Sequence, residues 1–396
     1  MRLSFFVTES FSSVSLDSEM RGESQLIIDG HLDMAFNALF YRRDLTQPVS
    51  VLREREVSFP NGEPRHPDSL RGRKGPEQHY YTPTVALPDM RRGRVGIMLS
   101  TIMARVQKPD VYSHNSVRTQ SVAYARGRAH LAYYEALETA GEIRFIRDVA
   151  RLDDCVRTWV EPRENTPVGL ILTMESADPI LGPDDVGWWW DAGLRSVCLT
   201  HFGANTYGHG TGTEGGLFPP AYPLMDALKE THIAIDLTHA SDLTFWQILD
   251  YWDGPVHASH CNCRSLVPGQ RHLSDDMIKA ITERNGVIGI VFAEQMLNPA
   301  LVFGDRSTWN MNATLAMKAV LPHIEQVCKI AGNSDCVAFG TDLDGGFGLE
   351  MSPTDYNTID DLQNFLDVMR DGGFSEENIA KFAHGNLLRF FRNNWS

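Results

Sequence analysis

Short apolar runs alternate with amphipathic stretches along most of the chain. The runs are LIIDGHLD (26–33), RVGIMLSTI (94–102), IRFIRDV (143–149), VGLILTME (168–175), SVCLTH (196–201), IAIDLTH (233–239), PVHASH (255–260), GVIGIVFAE (286–294) and CVAFGTDLDG (336–345). Between them, apolar positions recur at helical spacing over 115–140, ended by Gly141, over 241–252, over 273–285 with Ser274 as N-cap, and over 312–331. This alternation predicts parallel strands joined by crossover helices. About eight such units close into a (β/α)8 barrel, whereas an open doubly wound sheet carries a glycine-rich phosphate loop directly after its first strand. No such loop follows residue 33. The GxGxxG match GTGTEG (210–215) starts nine residues beyond its strand and runs into LFPPAYP, so it reads as a flexible loop. The expected fold class is therefore α/β, a TIM barrel, with residues 1–396 as one domain and 40–93 inserted between the first and second strands.

In such a barrel the reactive groups sit at the C-terminal ends of the strands. His31 and Asp33 end the first run, two apart and so on one face of a strand. Glu175, His201 and His239 end three later runs, His260 ends PVHASH, and Asp342 lies in FGTDLDG. A single histidine ending a strand is ordinarily a hydrogen-bonded structural residue, but seven polar groups at the same end of successive runs point to a shared site. Neutral imidazoles and carboxylates are the ligand set of Zn²⁺ and similar divalent ions, and this many exceed the needs of one tetrahedral ion with an open position. Two ions are the better count. Ions about 3.5–4 Å apart need a bridging ligand, which a carboxylate supplies and an imidazole does not, and Glu175 is the natural bridge.

Composition narrows the function. The 396 residues hold 51 acidic and 36 basic side chains, a formal charge of −15 that argues against a nucleic-acid partner. Residues 42–94 run the other way, with 11 Arg and Lys against 7 Asp and Glu, which reads as an elaborated surface loop or a lid or subunit contact. No segment approaches about eighteen uninterrupted apolar residues, and the apolar run near the start is too short for a signal-peptide core, so the expected location is cytoplasmic, without a membrane span. Six scattered cysteines read as reduced thiols, and the close pair in HCNCR lacks a second pair at zinc-finger spacing. The WWW run (188–190) reads as core or interface, and His257 and His232 as structural.

The segments DGHLD, the lone Glu175, LTH…N (199–205), DLTHAS (236–241), SHCNCRSLVPGQRHLSDDMIKAI (259–281), GTDLDG (340–345) and HGNLLRFF (384–391) together resemble, in order and over essentially the whole chain, the membrane (renal) dipeptidase family of the amidohydrolase superfamily. The resemblance implies a zinc-dependent dipeptidase with two Zn²⁺ per chain and a hydroxide bridging them. By position it implies His31 and Asp33 on one zinc, His239 and His260 on the other, and Glu175 across both. It further implies that His201 contacts the scissile carbonyl, that Arg271 grips the C-terminal carboxylate of the substrate, and that Asp342 handles the proton of the bridging water. The chemistry of each side chain suits its role: a carboxylate moves protons, an imidazole donates to an oxyanion, and a guanidinium matches both oxygens of a carboxylate.

Asp29 and Asp344 flank these segments as candidate acceptors orienting the imidazoles. The chain departs from the family where ESADPI stands in place of glycines and a histidine after the bridging glutamate, and in the length of 40–93, which bears on substrate preference and access. The expected partner is a dipeptide, and a homodimer is left open. The alternative is another binuclear amidohydrolase acting on N-acyl amino acids or cyclic amides. A non-catalytic relative would show a broken ligand set, and here every matched position is filled by a competent residue.

Overall fold

The computed structural model of the protein describes residues 24–57, 82–107, 116–301 and 313–395. Of the insertion expected at 40–93, residues 58–81 lie outside them. The described strands are β1 (Ile27–Leu32), β2 (Val95–Met103), β3 (Arg105–Val106), β4 (Ser116–Val117), β5 (Ile143–Phe145), β6 (Val168–Glu175), β7 (Leu194–Cys198), β8 (Ala234–Asp236), β9 (Val256–His257), β10 (Ile288–Ile290) and β11 (Val337–Phe339). Eight of them run parallel in the order β10-β11-β1-β2-β6-β7-β8-β9. A parallel bridge from Ala258 to Ile288 then joins the two ends, with Ala258 N donating to Val287 O at 2.9 Å and Gly289 N to Ala258 O at 2.8 Å. The sheet is thereby closed as a barrel with helices outside, which removes its edges.

Two details of the barrel differ from simple alternation. The run at 143–149 supplies β5, which is not a barrel stave. It pairs with the start of β6 (Ile143↔Val168, Phe145↔Leu170), while β7 takes over the same edge further on (Leu172↔Leu194, Glu175↔Cys198). In β1, Asp29 faces Met98 and Leu32 faces Ser100, so three steps on one strand match two on the other. This bulge at Gly30 and His31 re-aims the histidine. A Cβ on Gly30 would stand 2.7 Å from Phe339 O, so only glycine fits there.

The helices start where the sequence supplies caps. Ser274 accepts from Met277 N at the start of Asp275–Glu283, and Ser241 from Thr244 N at the start of Asp242–Tyr251. The long helix is Gln120–Thr139, followed by Gly141 at φ +78°. The expected helix at 312–331 is shorter, a 3₁₀ turn at Met317–Val320 leading into Leu321–Ala331, because Pro322 suits a first turn and not a helix interior. Trp189 is fully buried, while Trp188 is partly exposed beneath the Arg128 guanidinium and Trp190 lies beneath that of Arg195. No described helix is long and apolar enough to cross a membrane.

Candidate metal centre

The chain leaves each barrel strand at the same end, and the polar groups leave with it. His31 lies in β1 and Asp33 just past it, Glu175 is the last residue of β6, and His201, His239, His260 and Asp342 each stand three residues beyond β7, β8, β9 and β11. His239 and Asp342 have positive φ, 65° and 58°, strained backbone of the kind that gathers at functional sites.

These seven side chains converge on one buried point. Glu175 Oε1 lies 3.1 Å from His239 Nε2, 3.2 Å from His201 Nε2, 3.3 Å from His260 Nε2 and 3.9 Å from His31 Nε2. His31 Nε2 is also 3.9 Å from Asp33 Oδ2 and 4.0 Å from Asp342 Oδ1. Three overlapping sets have ligand atoms close enough to hold an ion: His31, Glu175 and His260; Glu175, His201 and His239; His31, Asp33 and Asp342. None of these sets among the described residues includes a cysteine, and all six thiols are free.

Electrostatics favour cations here. Burial holds the imidazoles of His31, His239 and His260 below their usual range, and burial with the nearby Arg105 guanidinium brings His201 to about 4, so all four rings are neutral near pH 7. Burial opposes ionisation of Glu175, but the facing His201 and His31 rings and a hydrogen bond from His201 hold it well below the usual carboxylate range. Asp33 and Asp342 are pushed well above theirs by burial and by the other carboxylates. Crowded acids beside neutral imidazoles form a donor set that positive charge would relieve. His31 Nε2 and Asp33 Oδ1 are buried with no hydrogen-bond partner among the described residues, as atoms reserved for a cation would be. The residues present therefore fit a metal centre.

The surroundings orient the rings. His239 Nδ1 meets Thr211 Oγ1 at 3.0 Å, and His260 Nδ1 meets Ser259 Oγ at 2.8 Å. Thr211 N bridges His201 O and His239 O at 2.9 Å each, so the glycine-rich loop is pinned to the site instead of being flexible. Gly210 allows this approach, because a Cβ there would collide with His201 O. Asp29 and Asp344 do not orient imidazoles. Asp29 accepts from His31 N (3.1 Å), Thr341 N (3.0 Å) and Thr341 Oγ1 (2.6 Å), tying the ends of β1 and β11 together. Asp344 accepts from Thr84 N and Val85 N, anchoring the returning end of the 40–93 segment. Both serve backbone because their positions face main chain, which a pattern of residue types does not reveal. His257 is structural, bonded to Ser196 Oγ at 2.6 Å, and His232 is an exposed left-handed helix cap.

Arg271 is buried beside the cluster. Its Nη1 donates to Cys261 Sγ at 3.4 Å, and among the described residues its Nε has no partner and no carboxylate pairs with it. Sequence reasoning missed Thr211, Ser259 and Arg105, whose Nη1 contacts His201 Nδ1.

A family model described as membrane dipeptidase (peptidase family M19) matches residues 23–394. The chain belongs to the membrane dipeptidase family. Solved structures in this family show the same fold: a metallopeptidase dipeptidase at 22% identity and TM-score 0.73, covering 94% of this chain and 99% of that one, and a Rhodobacter sphaeroides metallopeptidase liganded with a phosphinate mimic of the dipeptide L-Ala-D-Ala, at 21% identity and TM-score 0.73, covering 94% and 100%. An uncharacterised protein of the pqqA 5′ region of Klebsiella pneumoniae is 25% identical over 266 residues, 65% of this chain and 91% of that protein. An uncharacterised Schizosaccharomyces pombe dipeptidase is 23% identical over 230 residues, 57% of this chain and 53% of its own length, so the match spans about half of that relative. As a member of the membrane dipeptidase family, the chain is a TIM-barrel metallopeptidase whose metal-binding clusters lie at the strand ends.

Proposed function

We propose that this chain is a binuclear zinc dipeptidase that hydrolyses dipeptides with a free C-terminal carboxylate. The observation that carries the reading is the buried Glu175 oxygen within 3.1–3.3 Å of imidazole nitrogens from three different strand ends, with a fourth imidazole at 3.9 Å. In this reading His31 and Asp33 hold one ion, His239 and His260 the other, and Glu175 both. When bound, two zinc ions supply a hydroxide nucleophile at neutral pH and Lewis acidity toward the peptide carbonyl.

The protein's own groups do the rest. Arg271 is a buried guanidinium without a carboxylate partner among the described residues, suited to bind the substrate's terminal carboxylate in a two-pronged contact. Asp342, whose Oδ1 lies 4.0 Å from His31 Nε2, would take up a proton and return it to the leaving amine. His201 donates to the carbonyl oxygen as negative charge develops there. The six free thiols support a cytoplasmic location.

The test is zinc content together with turnover of L-Ala-L-Ala and L-Ala-D-Ala against their C-terminal amides. The proposal expects cleavage of at least one free acid, abolished by chelation, and little cleavage of the amides. Equal turnover of acid and amide would favour an amidohydrolase of different substrate class, and turnover indifferent to chelation would reject the zinc mechanism.

A further inference from the structure

Distance alone does not separate the roles of His201, His239 and His260, since all three Nε2 atoms lie within 3.1–3.3 Å of one carboxylate oxygen. The other ring nitrogen does separate them. His239 Nδ1 and His260 Nδ1 face the hydroxyls of Thr211 and Ser259. Thr211 Oγ1 also lies 3.4 Å from His239 O, a carbonyl that can take its hydroxyl hydrogen and leave its lone pairs for the ring. A ring that donates through Nδ1–H to a hydroxyl keeps its Nε2 lone pair free for an ion.

His201 Nδ1 instead faces the Arg105 guanidinium, which has N–H groups only and can accept nothing. Its Nδ1 must therefore be the acceptor, and a neutral ring then carries its proton on Nε2. A protonated Nε2 cannot ligate a metal, but it can donate, and it points at the Glu175 oxygen at 3.2 Å. Arg105 is well placed to enforce this. It lies in β3, just past the end of β2, where Val106 N donates to Asp178 Oδ2 at 2.7 Å and Gln107 Nε2 to Phe202 O at 3.2 Å, and its guanidinium lies 5.5 Å from the Phe202 ring centroid. Asp178 also accepts from Thr206 N at 3.1 Å, so one buried carboxylate ties Arg105's strand to the loop that carries His201.

We infer that Arg105 is a positioning residue that fixes His201 in its Nε2–H form, withholding it from the metals and presenting it as the hydrogen-bond donor to the substrate carbonyl. The inference rests on the dipeptidase reading for its consequence, but its physical content is a tautomer that exists without zinc or substrate.

The experiment is nitrogen NMR of ¹⁵N-histidine-labelled, zinc-free protein, with the His201 signals assigned by loss in His201→Asn. The expected result is an unprotonated Nδ1 and a protonated Nε2 in the wild type and in Arg105→Lys, and the reverse in Arg105→Glu, whose carboxylate accepts from Nδ1. In the zinc-loaded enzyme, Arg105→Met should lose about 10- to 100-fold in kcat with KM little changed, and Arg105→Lys should recover most of the loss. A wild-type His201 protonated on Nδ1 would overturn the inference, whether or not the glutamate variant folds. Arg105→Met and Arg105→Lys both matching wild-type kcat would overturn it as well. A wild type with the expected tautomer but no dipeptide turnover would reject the functional reading and leave the tautomer assignment standing.

Discussion

Arg271→Met separates binding from stability in a way that few substitutions do. Arg271 is 4% exposed, and among the described residues its Nε has no partner and its guanidinium has a cysteine sulfur and no carboxylate to bond. A buried cation of this kind is costly to the free protein, and two divalent ions bound as proposed would outweigh the charge of Asp33, Glu175 and Asp342, so that repulsion would add to desolvation. Replacing a buried ion pair by apolar side chains of similar volume is often neutral or stabilises by about 1–4 kcal/mol, and a buried cation with no carboxylate to bond among the described residues has less attraction to lose. The bound substrate sees the opposite. Removing one partner of a desolvated, hydrogen-bonded ion pair costs about 2–5 kcal/mol, a fall of about 30-fold to several thousand-fold in kcat/KM for a dipeptide. Because that contact is made with substrate and transition state alike, most of the loss should enter through KM. The assays are steady-state kinetics on L-Ala-L-Ala, L-Ala-D-Ala and their amides, and thermal unfolding of the zinc-loaded proteins. The expected outcome is a variant that melts at or above the wild-type temperature yet no longer prefers the acid. A variant that melts well below wild type and keeps its preference for the acid would refute the reasoning, because Arg271 would then be a structural residue.

Thr211→Val and Ser259→Ala remove the hydroxyls that orient His239 and His260, and each should weaken zinc binding by about 10- to 100-fold, measured by competition with a chelating dye; unchanged affinity in both would show that these contacts do not set the rings. His130 is buried, and burial, helped by Arg126, lowers it to about 3. The unfolded chain therefore binds a proton that the folded one refuses between about pH 3 and 6.5, so its contribution to stability is complete above that window and falls by about 1.4 kcal/mol per pH unit on acidification. His130→Gln should flatten the fall of melting temperature between pH 6.5 and 4.5, and an unchanged slope would count against it. Ser274→Ala, by removing a cap bonded to Met277 N, should cost about 1 kcal/mol in denaturant unfolding without altering zinc content.

The barrel was legible because its strands are buried and bounded by turn residues, and because barrel chemistry gathers at one strand end. His31, Glu175, His239 and His260 could be marked by position alone for that reason. β5 was not distinguishable from a stave, since a run such as IRF has the same apolar character whether it closes the barrel or lies along the first half of β6. The supporting shell was the least legible part. Thr211 reaches His239 from a loop well beyond its strand, and no periodicity marks a residue whose role depends on a glycine letting backbone approach backbone. Asp29 and Asp344 drew notice as acids beside candidate ligands, yet a carboxylate beside an imidazole in sequence can face the main chain in space, as both do. Arg105 gave no signal at all, because the ring it meets is 96 positions away.

The central claim is that one buried carboxylate, Glu175, holds two ions together. Metal analysis of the purified protein, repeated on Glu175→Gln, tests it most directly. The account predicts about two equivalents of zinc per wild-type chain, with dipeptide cleavage lost on chelation and restored by zinc, and a marked loss of zinc in a variant that still folds. A single equivalent in an active wild type, or a Glu175→Gln protein that keeps its full metal content and its activity, would contradict it.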